Sequence, residues 1–214
     1  MLEETAALAA DLPGEVVVQS CDVRDADAIG ALVAELGEAY GIDLLVNNAG
    51  GQFYAPATGI SRGGWNAVID LNLNAIFSIV KASHPFLARS GGAVINISIS
   101  GVDRGMMGGA HALAARAGVL AMTRSLALEW AHEGIRLNCI GPGLVLTEGM
   151  AGQPQALIDE FVACVPMGRA TEVGEIADIV VYLASDAGRM ITGHLLQVDG
   201  GVHIGPGIHP RRPE

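Results

Sequence analysis

Two neighbouring amides at the end of an apolar run give the first sign of chemistry. Leu44-Leu45-Val46 leads into Asn47-Asn48-Ala49-Gly50-Gly51. An apolar run without alternation predicts a strand buried on both faces of a parallel sheet. Asn47 and Asn48 bring amides to its carboxyl end, and Gly50 and Gly51 admit a close ligand or backbone. In open parallel sheets, ligands sit at the carboxyl ends of the strands. Gln52 and Tyr54 follow the glycine pair, and each has two readings. Gln52 is an amide donor or a solvated loop residue; Tyr54 is a candidate acid or a packed ring. His111 can relay a proton or pad a helix start. Asp103 and Arg104 read as a solvated charge pair, close to where a substrate would lie. Met106, Met107 and Met150 suit either an acyl-chain pocket or exposed loops. No spacing of His and Cys fits a metal site, and no G-x-S-x-G elbow marks a hydrolase.

The elements that must position these groups alternate in type. Leu2–Leu12 reads as a helix ended by Pro13-Gly14, and Glu15–Cys21, rich in valine, as a strand. Asp25 is placed to cap a helix running to about Tyr40, closed by Gly41. Asp43–Val46 is the anchor strand, and 53–64 a loop with Pro56, Gly59, Gly63 and Gly64. Trp65–Leu87 reads as a long helix in which Pro85 predicts a kink or an early stop. Ala93–Ile99 is a strand after the Gly91-Gly92 turn. Ala110–His132 is a helix so apolar all round that it is buried or packs on a partner. Ile135–Ile140 is a strand, 145–167 a mobile insertion with a short helix near Gln155–Ala163, Glu172–Ala184 a helix and Leu195–Val198 the last strand. This order predicts an α/β, doubly wound Rossmann-like parallel sheet with helices on both faces. Residues 1–202 read as one domain and 203–214 as a loose tail.

The bulk numbers bound the partners. A chain of 214 residues suits one domain with a sizeable core. Half of it is hydrophobic and 16% charged, too apolar for disorder. No apolar run reaches the roughly 18 residues of a membrane span. The formal charge of −11 argues against nucleic acid as a partner. Three scattered cysteines fit a reducing, cytoplasmic setting better than a disulfide framework.

Several ordered pieces resemble the short-chain dehydrogenase/reductase family. Asn47-Asn48-Ala49-Gly50 is similar to its N-N-A-G motif, and Cys21-Asp22-Val23 to its D-V segment. Asn72, in Asp70-Leu71-Asn72-Leu73, occupies the place of its helix asparagine. Ser98, in Asn96-Ile97-Ser98, lies near its catalytic serine. Gly141-Pro142-Gly143 with Thr147 resembles its P-G-x-x-x-T segment, and Val198-Asp199-Gly200-Gly201 its last strand end. The resemblance implies that Asp22 and Val23 contact the adenine of a nicotinamide cofactor and that Asn48, Ala49 and Gly50 border it. It also implies that Pro142, Gly143 and Thr147 cover the nicotinamide and that Ser98 donates to a substrate oxygen. NADP is the expected cofactor, with NAD as the other candidate.

Two departures qualify that picture. The family's Y-x-x-x-K dyad falls on Ala112 and Arg116, so the phenol is absent while a fixed positive charge remains. Arg116 can still clamp ribose hydroxyls; alternatively it pairs with a carboxylate on a helix face. His111-Ala112, together with Asn48–Phe53 and Ser125–Trp130, resembles the peroxisomal-type trans-2-enoyl-CoA and 2,4-dienoyl-CoA reductase branch. Reduction of a conjugated double bond needs an oxyanion donor and a later proton at carbon, not a phenol aimed at an alkoxide. The second departure is at the front. The family's first strand, glycine-rich phosphate turn, first helix and second strand have no counterpart, so the first β-α-β unit is expected to be missing. That leaves Leu44–Val46 with an open edge, or lets Val16–Gln19 slide in beside it.

Three functions follow. The first is reduction of the carbon–carbon double bond of an enoyl-CoA-type substrate, with Ser98 and Gln52 steadying the enolate oxygen and Asn72, His111 and Arg116 completing the site. The second is a carbonyl or alcohol dehydrogenase acting on a 3-oxoacyl substrate or a secondary alcohol. The third is a non-catalytic fragment or oligomerisation partner. The two long helices suit a homodimer or homotetramer bundle.

Overall fold

The computed structural model describes residues 2–147, 152 and 154–205. In chain order it contains α1 (Leu2–Ala9), α2 (Ala26–Tyr40), β1 (Leu44–Asn47), α3 (Arg62–Ile69), α4 (Ala75–Ser90), β2 (Ala93–Ile97), α5 (Ala110–Trp130), β3 (Arg136–Pro142), α6 (Gln155–Ala163), α7 (Val173–Ala184) and β4 (Leu195–Val198). The strands form one parallel sheet in the order β1-β2-β3-β4. Each joins its neighbour through a helical crossover, the arrangement expected of a doubly wound α/β sheet.

Side-chain alternation along β2 sets the two layers. Val94 packs with Val80 and Leu87 of α4, Val119 and Leu120 of α5, and Leu137 and Cys139 of β3. Ile95 points the other way and meets Ile140 of β3 and Leu183 of α7. Helices thus cover both faces. α2 adds Ile29 and Val33 to the α4 side, against Ile79, Phe86 and Leu45. Asp25 caps α2 through Ala28 N, as its position suggests, and Gly41 closes it at φ 75°.

Strand β1 departs from expectation. Leu45 and Asn47 face α4 and α5, but Leu44 and Val46 are 40% and 39% exposed. The run is not buried on both faces, because α7 covers only β2 and β3 on that side and β1 is the sheet edge. Glu15–Cys21 forms no strand. Val16, Val17 and Val18 stay 48%, 43% and 39% exposed; with no neighbouring strand, valine's preference for extended backbone has nothing to pair with. Cys21 and Val23 alone are anchored, packing beside Ile29, Val33 and Leu45.

The helix expected over Trp65–Leu87 runs longer, as α3, a π-helical turn at Asp70–Asn74, and α4. Pro85 neither stops nor ends it early: α4 continues to Ser90, where Gly91 takes φ 64°. Pro85 lies on the exposed side, while Phe86 and Leu87 on the buried side hold the turn by packing. Shorter spans than expected are found for α1, which stops at Ala9, and β2, which stops at Ile97. α6 covers Gln155–Ala163 as expected. Among the described residues no helix is long and apolar enough to cross a membrane.

Besides the packing of Leu183 on Ile95 and Ile140, one side chain bonds the end of α7 to the sheet. Arg136, at the start of β3, donates through Nη1 to the carbonyls of Leu183 and Gly188 and through Nη2 to Ala184 O at 3.1 Å. Those are carbonyls that a helix end leaves without partners. Replacing Arg136 with Ala should lower the unfolding free energy by about 2 kcal/mol, since charged hydrogen bonds are worth more than neutral ones. Arg136→Lys should recover only part of this, having no planar fork. Chemical denaturation reads both, and an unchanged midpoint in Arg136→Ala would refute the tie.

Candidate active site

Polar side chains collect where β1, β2 and β3 end. Asn47 Nδ2 donates to Asn96 Oδ1 at 2.8 Å, and Asn96 Nδ2 donates to Thr123 Oγ1 at 2.9 Å, all three buried. The Thr123 hydroxyl lies 3.2 Å from Cys139 Sγ. Burial pushes the Cys139 thiol up to about 11, so it stays protonated. This chain pins the end of β1 to β2 and α5, leaving Asn48, Ala49 and Gly50 exposed beyond it.

Asn72 sits within the π-helical turn and is 1% exposed. Its Nδ2 donates to Val68 O and to Gly51 O, each at 2.8 Å, and its Oδ1 accepts from Gly51 N at 3.2 Å. A turn that loses its i→i+4 bonding frees a carbonyl, and here the asparagine amide takes it. The same side chain clamps both sides of the Gly51 residue, so the loop after β1 is fixed by α3 and α4.

Arg116 reaches this loop from α5. Its guanidinium donates to Ile97 O and stands against the open face of Gly50, where a Cβ would meet it and Asn72 Oδ1. The residue is 9% exposed and has no carboxylate partner among the described residues. Burial holds its pKa below the usual arginine range. The reading of Arg116 as half of a helix-face ion pair is therefore set aside. Ser98 follows Ile97 directly, and by alternation its side chain faces α5 as Asn96 does. Its Oγ is buried and bonds nothing. Ala112 is 1% exposed, and its methyl group can neither give nor take a proton. His111 is fully buried, both ring nitrogens lack partners, and the Phe53 ring closes on it edge-on at 4.4 Å.

A second knot joins the ends of β2, β3 and β4. Ser100 N donates to Pro142 O at 2.8 Å, and Gly143 N donates to Val198 O at 3.1 Å. A Cβ on Gly143 would lie 2.7 Å from Asp199 Cα. Asp199, 3% exposed, accepts from the Ser100 hydroxyl, from Gly201 N at 3.0 Å, from His203 N at 2.7 Å and from His203 Nδ1 at 2.9 Å. Burial raises its pKa, but the bonds from Ser100, His203 and the two backbone donors outweigh burial and leave it lowered. Ser100, Asp199 and His203 were not legible as site residues. The only signal was the Val198–Gly201 motif: Asp199 and His203 meet locally, four residues apart, but Ser100 reaches Asp199 only through the parallel sheet. Arg104 does not form the expected solvated pair with Asp103; it donates to the carbonyls of Val202 and Gly205, latching the loop after β2 to the same knot.

The remaining expected residues lie further out. Gln52 Nε2 donates to Tyr54 Oη at 3.1 Å on an exposed loop held by Ala55 N to Gly108 O at 3.0 Å. Thr147 is exposed just past the bridge of Val145 to Thr171. Asp22 is gripped by Arg24 through Nε at 2.9 Å and Nη2 at 2.6 Å, which holds its carboxyl at about 2. The pair borders an open cleft of about 820 Å³ against Asn66, Asp70 and Asn74, away from Ser98 and Arg116. Met106 covers Gly109, and Met107 is 53% exposed; Met150 lies outside the described residues.

The nicotinamide end of a dinucleotide fits these residues. A buried guanidinium without a counter-charge and an orphaned serine hydroxyl are donors awaiting oxygens, and Gly50 and Gly143 leave space that side chains would fill. The chain matches a family profile described as enoyl-(acyl carrier protein) reductase over residues 1–203. It is 35% identical over 212 residues to a probable 2,4-dienoyl-CoA reductase of Bacillus subtilis, covering 96% of this chain and 84% of that one. It is 33% identical over 195 residues to a 3-oxoacyl-acyl-carrier-protein reductase of Thermotoga maritima, covering 90% and 79%. A crystal structure of a putative short-chain alcohol dehydrogenase from Sinorhizobium meliloti superposes with a TM-score of 0.90 at 31% identity, over 95% of this chain and 82% of that one. The fold, the converging motifs and these relatives agree: the chain belongs to the short-chain dehydrogenase/reductase family of NAD(P)-dependent oxidoreductases.

Proposed function

We propose that this protein reduces the carbon–carbon double bond of an enoyl thioester, with NADPH as the expected reductant. One observation carries the reading. The centre of the site offers hydrogen-bond donors and positive charge, but its dyad position holds a buried alanine. Ketone reduction needs an acid aimed at an alkoxide, whereas enoyl reduction needs a stabilised oxyanion first. A bound dihydronicotinamide supplies hydride to the β-carbon. Ser98 Oγ–H donates to the thioester oxygen as charge gathers there, and the Gln52 amide is the second donor. Arg116 holds the ribose hydroxyls and lends its charge to the same oxygen. Asn72 keeps the Gly51 peptide, and with it Gln52, in place. Asn48, Ala49 and Gly50 border the cofactor, Pro142, Gly143 and Thr147 cover it, and Asp22 with Val23 takes its adenine end.

The similarity to a probable 2,4-dienoyl-CoA reductase supports the reading. The similarity to a 3-oxoacyl-acyl-carrier-protein reductase supports a second, carbonyl reduction. Self-association is part of the proposal. α5 exposes Ala114, Ala117, Ala121 and Leu128 along one side, and α4 exposes Phe77, an apolar surface suited to a second copy in a homodimer or homotetramer.

Purified protein should oxidise NADPH with crotonyl-CoA or a dienoyl-CoA and leave acetoacetyl-CoA untouched. Turnover of acetoacetyl-CoA alone would establish the second reading, and turnover of none would defeat both. Gly50→Ala tests the site itself. The added methyl would press on Arg116 and come within 2.9 Å of Asn72 Oδ1. NADPH affinity should weaken and turnover fall roughly a hundredfold, the scale of a one-ångström misplacement. Normal titration and rate in that variant would show that Arg116 does not serve the cofactor.

A further inference from the structure

We infer that Gln197 holds the carboxamide of the nicotinamide, its side-chain oxygen accepting from the carboxamide N–H. The inference rests on the cofactor half of the reading above. Gln197 lies one residue before the Val198–Gly201 motif and within none of the motifs themselves.

Three neighbouring strands put Ser98, Gly141 and Gln197 in one row. Ser98 N donates to Ile140 O at 2.7 Å, which sets Ser98 beside Gly141. Gly141 in turn pairs with Gln197 in register. Cys139 and Leu195 pack toward α5, and alternation turns Gly141 and Gln197, each two residues on, the same way. Ser98 follows Asn96, which also faces α5. Gly141 has no side chain, and the Gln197 amide takes the space. A Cβ on Gly141 would meet Gln197 Oε1 and would lie 3.2 Å from the carbonyl oxygen of Ile99, the residue after Ser98. The amide oxygen therefore lies over β3, next to the end of β2.

Ser98 Oγ and Gln197 Oε1 are both buried without partners, and they need different things. A hydroxyl can donate, whereas an amide oxygen can only accept. The reacting end of an enoyl thioester has acceptors alone, so it satisfies the serine and not Gln197. The nicotinamide carboxamide carries two N–H donors. It stands on the ring carbon next to the one that releases hydride, so the group that holds it must lie close to the donor that steadies the thioester. The row meets that demand, with only β3 between Ser98 and Gln197. The segment that covers the nicotinamide in the reading above runs along the same strand end: Gly141 stands against Gln197 and Gly143 against Asp199. Gln197, Val198 and Asp199 border a cavity of about 320 Å³, so packing does not seal this stretch. A buried acceptor without a donor costs free energy, and a carboxamide N–H removes the cost. Holding the carboxamide also fixes which face of the ring is turned to the substrate.

Calorimetric titration of the full chain tests this, with NADP+ and with its 3-acetylpyridine analogue. The analogue keeps the carbonyl but has a methyl group in place of the N–H donors. The wild type should bind NADP+ roughly tenfold tighter than the analogue, the scale of one hydrogen bond to a buried acceptor. In Gln197→Leu, NADP+ should weaken by the same factor and the analogue should not, so that the two bind alike. Gln197→Glu keeps an acceptor and should keep the preference. Gly141→Ala, whose methyl would push the amide aside, should lose it. Thermal melting checks that each variant folds. A preference retained in Gln197→Leu would overturn the inference and place the amide the other way round, with Nε2 donating to Ile99 O. Should that variant not fold, a preference retained in Gly141→Ala overturns it instead. A wild type that binds both nucleotides equally removes the inference alone; one that binds neither removes the cofactor reading, and the inference with it.

Discussion

Polar side chains buried inside a parallel sheet cost free energy unless each finds a partner. The run from Asn47 to Asn96 to Thr123 meets that condition by bonding two strands and a helix in series. Because the strands are parallel, their carboxyl ends share one rim. The asparagine chain fixes β1 and β2 in register with α5, and every site group is placed relative to it. Asn72 extends the same logic to the loop after β1, spending its amide on Gly51 and on the carbonyl that the π-helical turn leaves free.

Against this well-paired background, the unpaired groups stand out. Ser98 Oγ, both nitrogens of His111 and the guanidinium of Arg116 are buried with few or no partners. Unmade bonds in a buried place carry a penalty, and native proteins tolerate them mainly where a ligand completes them. Arg116 bonds the carbonyl of Ile97, the residue directly before Ser98, so the two groups belong to one stretch of the sheet rim. His111 differs from them in that the Phe53 ring packs edge-on against it.

The sheet edge tells a separate story. β1 has a neighbour on one side only, and Leu44 and Val46 lie bare on the face that α7 does not reach. Three exposed valines precede α2 without a strand to join. An apolar edge with unpaired backbone is the surface that proteins ordinarily cover. The other face of β1 is not bare: Leu45 packs against the core around Val94 and Leu137.

Local signals in the chain were enough for the α/β class and for the order of elements from α2 onward, with bounds good to a few residues. These signals are Asp25 capping α2, Gly41 and Gly91 closing helices, and apolar runs for strands. The sequence also showed that position 112 holds no acid. It misjudged Glu15–Cys21 and the burial of Leu44–Val46, because a strand exists only where another lies beside it, and that is a property of the whole sheet. Tertiary structure alone decided which side chains meet. Ser100 and Asp199 are far apart in the chain and touch only because β2, β3 and β4 run parallel and in register. Periodicity encodes which face a residue takes, but the partner across that face is chosen when the crossovers stack the strands.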